Sequence, residues 1–412
     1  MSEYDLTNPY ESLKIKDFRY FLIARILLMI VFQVQSVSIA IQVYDITKDP
    51  LALGFLGLSF VVPAIIVSLY AGYIADLYDR RKIQLLFGTM LFFLFSILYL
   101  FNVPSIQEYT GFSPIHIYVL MFFIGIGKGF MNPASFGLMG QIIPPELNKN
   151  ASIWSSSSFT TGLLLGPVIG GLLYDFWGPE KTYLTNLIIT IAGLLCIFMI
   201  SKYPMPKVEK RPPMLENIKE GIKFVFDNQI IIGAISLDLF AVLFGGAIAL
   251  LPIFAKDILH VSPTSLGILR TAPALGAVIT SIILIYRPIE KKAGKYFILS
   301  VGGFGVCTIL FALSSSFWLS VFLLFMVGVF DEVSVLVRST IMQTMIPNEM
   351  RGRVSAVNSI FITSSNELGE FESGVAAKIM GTVPSVIFGG FMTILVVIIT
   401  SIKAKKLKDL EF

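Results

Sequence analysis

Only two cysteines and two histidines occur in 412 residues, and that scarcity removes much of the chemistry a chain of this length ordinarily offers. Cys196 and Cys307 stand singly in apolar stretches. A lone thiol there behaves as a small hydrophobe, which excludes a disulfide framework and a CxxC redox pair. His116 and His260 lie far apart and lack the paired spacing of a zinc site. No GxxxxGK[ST] loop is present for nucleotide hydrolysis, and no nucleophile stands with a matched base. An enzyme is therefore not expected, nor a metal, nor a cofactor. Charge is scarce as well, at 14% of residues against roughly 25% in an average soluble domain.

What fills the chain is apolar: 55% of residues are hydrophobic and the mean hydropathy is +0.80. A spanning helix needs about 20 apolar residues at ~1.5 Å rise each. Twelve such runs lie near 19–44, 51–74, 83–103, 115–140, 151–174, 182–202, 228–253, 263–285, 295–314, 317–344, 354–377 and 381–402. The polar start MSEYDLTNPYESLKIKDF resembles a short cytosolic lead-in and no cleavable signal peptide. The expected fold is an all-α membrane protein of twelve transmembrane helices.

The sequence from Gly125 to Gly178 recurs at Gly328 to Gly381 with a constant offset of 203 and no gap. Met139 matches Met342, Pro144 Pro347, Glu146 Glu349, Gly166 Gly369 and Gly171 Gly374. The chain thus consists of two copies of one six-helix unit, an arrangement typical of solute transporters with a site at the seam of the repeats. The expected division is a first bundle over 1–202, a linker over 203–227 and a second bundle over 228–412. Within the linker, residues 215–226 have the pattern of an amphipathic surface helix, with Lys219 and Lys223 at helical spacing; a solvated tether is the alternative. The copies differ instructively, since Lys128 matches Asp331, Gly129 Glu332, Pro167 Glu370 and Ile169 Glu372.

Lys and Arg set the orientation. With the N-terminus cytosolic, 23 of the 31 fall on the inner side, while Lys48, Lys181, Lys256 and Lys378 fall outside. That bias places both termini and the linker in the cytosol. The net charge of +4 is then a topology signal, leaving no basic patch for nucleic acid.

The other four, Arg25, Lys128, Arg270 and Arg338, fall within spans, as do Asp238, Asp331, Glu332, Glu367, Glu370 and Glu372. An ionisable group at mid-bilayer costs a few kcal/mol or more unless paired or wetted, so these ten residues require partners. A surplus of carboxylates in a low dielectric favours protonation of one, as a proton-exchange site requires. Asp331 and Arg338 are seven apart on one helical face, so the long guanidinium could reach back toward the carboxylate; for Asp331 and Glu332 a proton or substrate role is expected, with static ion pairing as the alternative. Glu332 points about 100° away. Glu367 and Glu370 share a face, and Glu372 points elsewhere. Lys128 is placed either to bind an anionic group of a substrate or to balance Asp331; Arg25, near the end of the first span, is placed to snorkel or latch. Gln33, Gln35, Ser36, Ser38 and Gln42 crowd the first span, and Asn132 follows Lys128 by one turn. Such a mixture with Phe, Tyr and Met suits a bulky amphipathic solute.

After the second run the chain reads Gly72-Tyr-Ile-Ala-Asp76-Leu-Tyr-Asp79-Arg80-Arg81-Lys82, which resembles the signature loop of the major facilitator superfamily. Asp79 stands where that family usually has glycine. The resemblance implies a cytosolic latch from Gly72, Asp76, Arg80 and Arg81, with Arg25 nearby. Gly162-Leu-Leu-Leu-Gly166-Pro167-Val-Ile-Gly170-Gly171 is similar to the motif of the family's antiporters, chiefly exporters; plain helix packing explains the same residues. The segments Phe18 to Arg25, Leu237 to Gly246, Leu251 to Ala255, Leu269 to Pro273 and Glu367 to Gly374 resemble the bacterial branch that includes the enterobactin exporter and related efflux proteins. That likeness implies that the first, fourth, seventh and tenth helices line a central cavity. The expectation is a monomeric proton-coupled antiporter of the inner membrane, exporting a drug-like or siderophore-like compound amid membrane lipids. A lipid or lysolipid transporter is the alternative, and a non-transporting membrane sensor or assembly partner the reading from another class.

Overall fold

The computed structural model describes residues 8–110, 113–204, 214–287, 289, 292–404, 407 and 410. Among them there is no strand. The main helices are α1 (Lys16–Thr47), α2 (Pro50–Leu77), α3 (Arg80–Phe101) and α4 (Pro114–Ile142), then a merged pair over Asn148–Met199. At ~1.5 Å per residue that 52-residue stretch is far too long for a single crossing. It breaks at Gly178, whose φ of 71° and ψ of 178° interrupt the helix just before Pro179, giving α5 (148–177) and α6 (179–199). There follow α7 (Gln229–Phe244, carried on by short turns to Ile258), α8 (Pro263–Tyr286), α9 (Ala293–Leu313), α10 (Phe317–Met345), α11 (Asn348–Met380) and α12 (Thr382–Lys403).

These are twelve membrane-spanning helices. Eleven stand out by length and hydropathy once the pair over Asn148–Met199 is divided. The exception is α11, 33 residues long, which carries Glu367, Glu370 and Glu372. Its register with α5 identifies it as a crossing: Gly381, at φ 93°, ends α11 where Gly178 ends α5 in the first copy. A positive φ is open to glycine at no steric cost, so both copies turn on the same residue.

Two compact units divide the chain. The first comprises Met1–Lys48, Leu58–Glu209 and Ser262–Gly267, and the second Asp49–Gly57, Lys210–Val261 and Ile268–Phe412. The beginning of α2 thus belongs with the second unit and the beginning of α8 with the first.

In the first unit α1 packs along α5 through glycines four apart. A side chain at Gly162 would meet Met29, one at Gly166 the stem of Gln33, and one at Gly170 Val34. The next glycine, Gly171, lies against Pro263 and Gly267 at the start of α8. Polar side chains knit α1 to its neighbours: Tyr183 donates to Gln42 at 2.7 Å, and Asn186 donates to Gln35 at 2.9 Å. Gln42 in turn bonds Asn102. The amides of α1 are therefore largely packing elements, contrary to the expectation of a polar cavity wall. At the end of α6, Ser201 N–H and the Tyr203 hydroxyl both donate to Asp17, at 3.1 and 2.8 Å.

In the second unit, Ala234, Leu237 and Ala241 of α7 pack with Phe297 and Val301 of α9 and Val337 and Ile341 of α10. The start of α2 joins α11, where Gly54 meets Phe371 and Gly374, and Lys378 donates to Asp49 at 2.8 Å. The expected amphipathic linker helix is present as Met214–Asp227. Val225 is buried beside Ile231, Ile235 and Val357, while Glu220 and Lys223 are exposed. The side chain of Lys219 lies outside the described residues.

Candidate substrate and proton site

The functional candidates separate by charge. In the first unit a cavity of about 360 Å³ is lined by Arg25 and Phe32 from α1, Lys128, Asn132 and Ser135 from α4, and Phe159 from α5, among others. Arg25 and Phe32 are two turns apart, and Lys128, Asn132 and Ser135 follow at four and seven, so each helix presents one stripe to the cavity. The Lys128 ammonium stands 4.4 Å from the centre of the Phe32 ring and 5.6 Å from that of Phe60. The Arg25 guanidinium lies 5.7 Å from the Phe159 ring and donates from Nη1 to Ser135 Oγ at 3.4 Å. Arg25 is thus a wall of the cavity, where the sequence alone places it with the latch. Depth along a helix decides this, and an apolar run does not reveal depth.

Carboxylates gather in the second unit. Asp238 of α7 and Arg338 of α10 form a buried ion pair, their side chains 5% and 7% exposed. This corrects the expected pairing of Arg338 with Asp331. Seven residues span ~10.5 Å along a helix axis, beyond a guanidinium's reach, whereas Asp238 faces Arg338 from the adjacent helix. Among the described residues Asp331 has no ion pair. It shares with Asp238, Phe330 and Ser334 the lining of a cavity of about 10 Å³, room for about one water molecule. Glu332 accepts a hydrogen bond from Ser281 of α8 at 2.5 Å. Glu370 of α11 interacts with Arg270 of α8, whose Nη1 is buried without a hydrogen-bond partner. Glu372 is half-buried, and the side chain of Glu367 lies outside the described residues.

At the turn between α2 and α3 the residues expected to form a latch are held inside the first unit. Arg80 pairs with Asp76 at 3.3 Å and donates from Nε to the Ala75 carbonyl at 3.0 Å. Arg81 donates to the carbonyls of Ile197 and Phe198. Asp79 caps α3, accepting from the N–H groups of Arg81 at 3.0 Å and Lys82 at 3.3 Å. A carboxylate here binds the exposed N–H groups that begin a helix, a role the glycine usual at this position cannot fill. Gly72 of the same motif has open space where a side chain would stand.

The profile of the Major Facilitator Superfamily matches residues 21–370 and 239–406. The chain belongs to that superfamily. It is accordingly an integral membrane transporter. The enterobactin exporter of Escherichia coli O1:K1 is 26% identical over 384 residues, 91% of this chain and 88% of that protein. The enterobactin exporter of Shigella boydii serotype 18 matches at the same identity and coverage. Solved structures share the fold. A POT family transporter in complex with 5-aminolevulinic acid aligns with a TM-score of 0.74 at 13% identity, over 95% of this chain and 96% of that one. A bacterial homologue of the iron transporter ferroportin, in an inward-facing state, aligns with a TM-score of 0.71 at 14% identity, over 96% and 99%.

Proposed function

We propose that this transporter is a proton-coupled antiporter exporting an amphipathic organic compound, of the drug-like or siderophore class. The observation that carries the reading is the shared lining of one water-sized cavity by Asp238 and Asp331, with Arg338 bonded to Asp238 and, among the described residues, no ion pair at Asp331. A proton carrier must change its charge between states, and a carboxylate does this where a guanidinium cannot. Arg338 balances Asp238, so protonation of Asp331 removes the charge left over beside Glu332. The small cavity between the two aspartates has room for about one water molecule. Export follows the likeness to the enterobactin exporters and the glycine motif of α5. Protons and the organic solute are the transported partners, with lipid around a monomer in the inner membrane and both termini cytosolic.

The test uses proteoliposomes with an imposed pH gradient and a panel of labelled anionic, neutral and cationic amphipathic compounds. Asp331→Asn and Glu332→Gln should each abolish uphill accumulation and spare downhill exchange. If both variants concentrate solute as well as the parent, the carboxylates of α10 are structural and the coupling assignment falls. Orientation is tested separately: an impermeant thiol reagent applied to intact cells should label Lys48→Cys and leave Lys210→Cys unmarked.

A further inference from the structure

We infer that the cavity of the first unit recognises an aromatic organic anion, its acid group held by Arg25 and Lys128 and its ring by the surrounding aromatic and thioether side chains. This rests on the reading of the chain as a transporter and goes further by naming the substrate class. Two basic side chains line the cavity, and among its described lining residues none is acidic. A guanidinium carries five donors in a planar fork that matches a carboxylate, phosphonate or sulfonate. Here it has a neutral serine at 3.4 Å for Nη1, while its Nε is buried without a hydrogen-bond partner. A buried donor left in that state is costly, and an anionic ligand would offset the cost with charge-assisted bonds.

The second half of the ligand follows from what surrounds the charges. Phe159 lies beside the guanidinium and Phe32 beside the ammonium, and Met29 and Met131 complete the apolar wall. Thioethers adapt to flat rings and aromatic faces stack on them. A volume of about 360 Å³ falls within the range of small-molecule sites and accommodates a fused or linked pair of rings. An aliphatic acid would leave these faces uncovered, and an organic cation would meet two like charges.

The experiment measures equilibrium binding to the purified full-length chain in nanodiscs. The probes are radiolabelled 2-naphthoate and biphenyl-4-carboxylate, with their neutral amides and cationic methylamines. The carboxylates should bind saturably, and the amides and amines at least about ten-fold more weakly, the loss of one charge-assisted bond. Arg25→Gln and Lys128→Gln should each weaken carboxylate binding by about the same factor and leave amide binding unchanged. If either variant fails to fold, the parent's ratio of carboxylate to amide affinity decides alone. The inference is overturned when neither carboxylate binds saturably, when amide or amine binds as tightly, or when both Gln variants match the parent. Counterflow of the same probes in proteoliposomes separates the two readings. Carboxylate binding without counterflow of any probe sinks the transport reading and leaves the anion site standing; counterflow of the amines alone does the reverse.

Discussion

Replacing Arg338 with Met should be among the most damaging single changes in the second unit, and replacing Asp238 at the same time should undo most of the damage to stability. The two side chains are 7% and 5% exposed. Removal of one partner of a buried pair leaves the other charge in a low dielectric with nothing to balance it, at a cost of about 3–5 kcal/mol. At about 1.4 kcal/mol per decade, that is a loss of roughly 10² to 10⁴ in the folding equilibrium. Removal of both takes the charge away altogether. Asp238→Leu with Arg338→Met should then fold within about 1 kcal/mol of the parent, or above it.

Unfolding in mixed SDS and dodecyl maltoside micelles, followed by circular dichroism, measures all four proteins of the cycle. The coupling energy should be of the same order as the cost of the single changes. Transport then separates structure from function, because the double variant is expected to fold and to lose uphill, pH-driven accumulation. Additive single costs in the double variant would refute the assignment of Asp238 as the partner of Arg338. Parent-like unfolding of Arg338→Met would do so equally.

Three further outcomes are expected. Asp79→Ala should lower stability by about 1 kcal/mol in the same micelle assay, and Asp79→Gly by only a few tenths, since the carboxylate caps α3 and glycine tolerates the cap conformation. Gly328→Ala should cost at least about 1–3 kcal/mol, because its added methyl meets the Pro273 backbone, which no rotamer change relieves; Gly72→Ala, with open space around it, should be neutral or slightly stabilising. The Lys378–Asp49 pair is worth no more than about 1 kcal/mol, being 53% and 30% exposed. Burial by itself raises the Asp49 carboxyl, but the hydrogen bonds from Lys378 and Leu51 outweigh it and hold it below the ordinary aspartate value of 3.8. Its contribution should therefore be fully present above pH ~4 and fade as acid protonates it, a pH dependence that Asp49→Asn removes.

Much of the fold was legible because a membrane permits few solutions. Eleven helices stand out as apolar lengths, and the break between α5 and α6 is marked by Gly178-Pro179. The twelfth, α11, is too acidic to be found by hydropathy, and the 203-residue offset identifies it. The site was less legible. Counting along α10 suggested Asp331 for Arg338, but an ion pair depends on which neighbouring helix faces the charge, and the true partner lies 100 residues away on α7. Arg25 looked like a residue of the helix end until the cavity beside Lys128 and Ser135 gave it a depth. Gln35 and Gln42 have the polarity of a cavity wall, and only the positions of Asn186 and Tyr183 show that they are tied to α6. A signal for the cap was present all along in Asp79, an N-cap residue directly before a helix.

The two copies show which positions the fold holds and where chemistry is free to diverge. Gly125 meets the Phe60 carbonyl of α2, and its counterpart Gly328 meets the Pro273 carbonyl of α8. Gly171 and Gly374 likewise lie against backbone, and Gly178 and Gly381 both hold positive φ. Backbone contacts of this kind exclude every side chain, so both copies retain glycine. Lys128 and Asp331 face a different constraint, for each lines a cavity in its own unit, where either charge fits if the ligand complements it. An exchanger of protons for organic anions needs one group that keeps its charge and one that gives it up. A guanidinium keeps its charge at neutral pH, whereas a carboxylate can take up and release a proton. On the proposed reading, cations in the first copy and acids in the second would supply the two halves of an exchange that two identical copies would not provide.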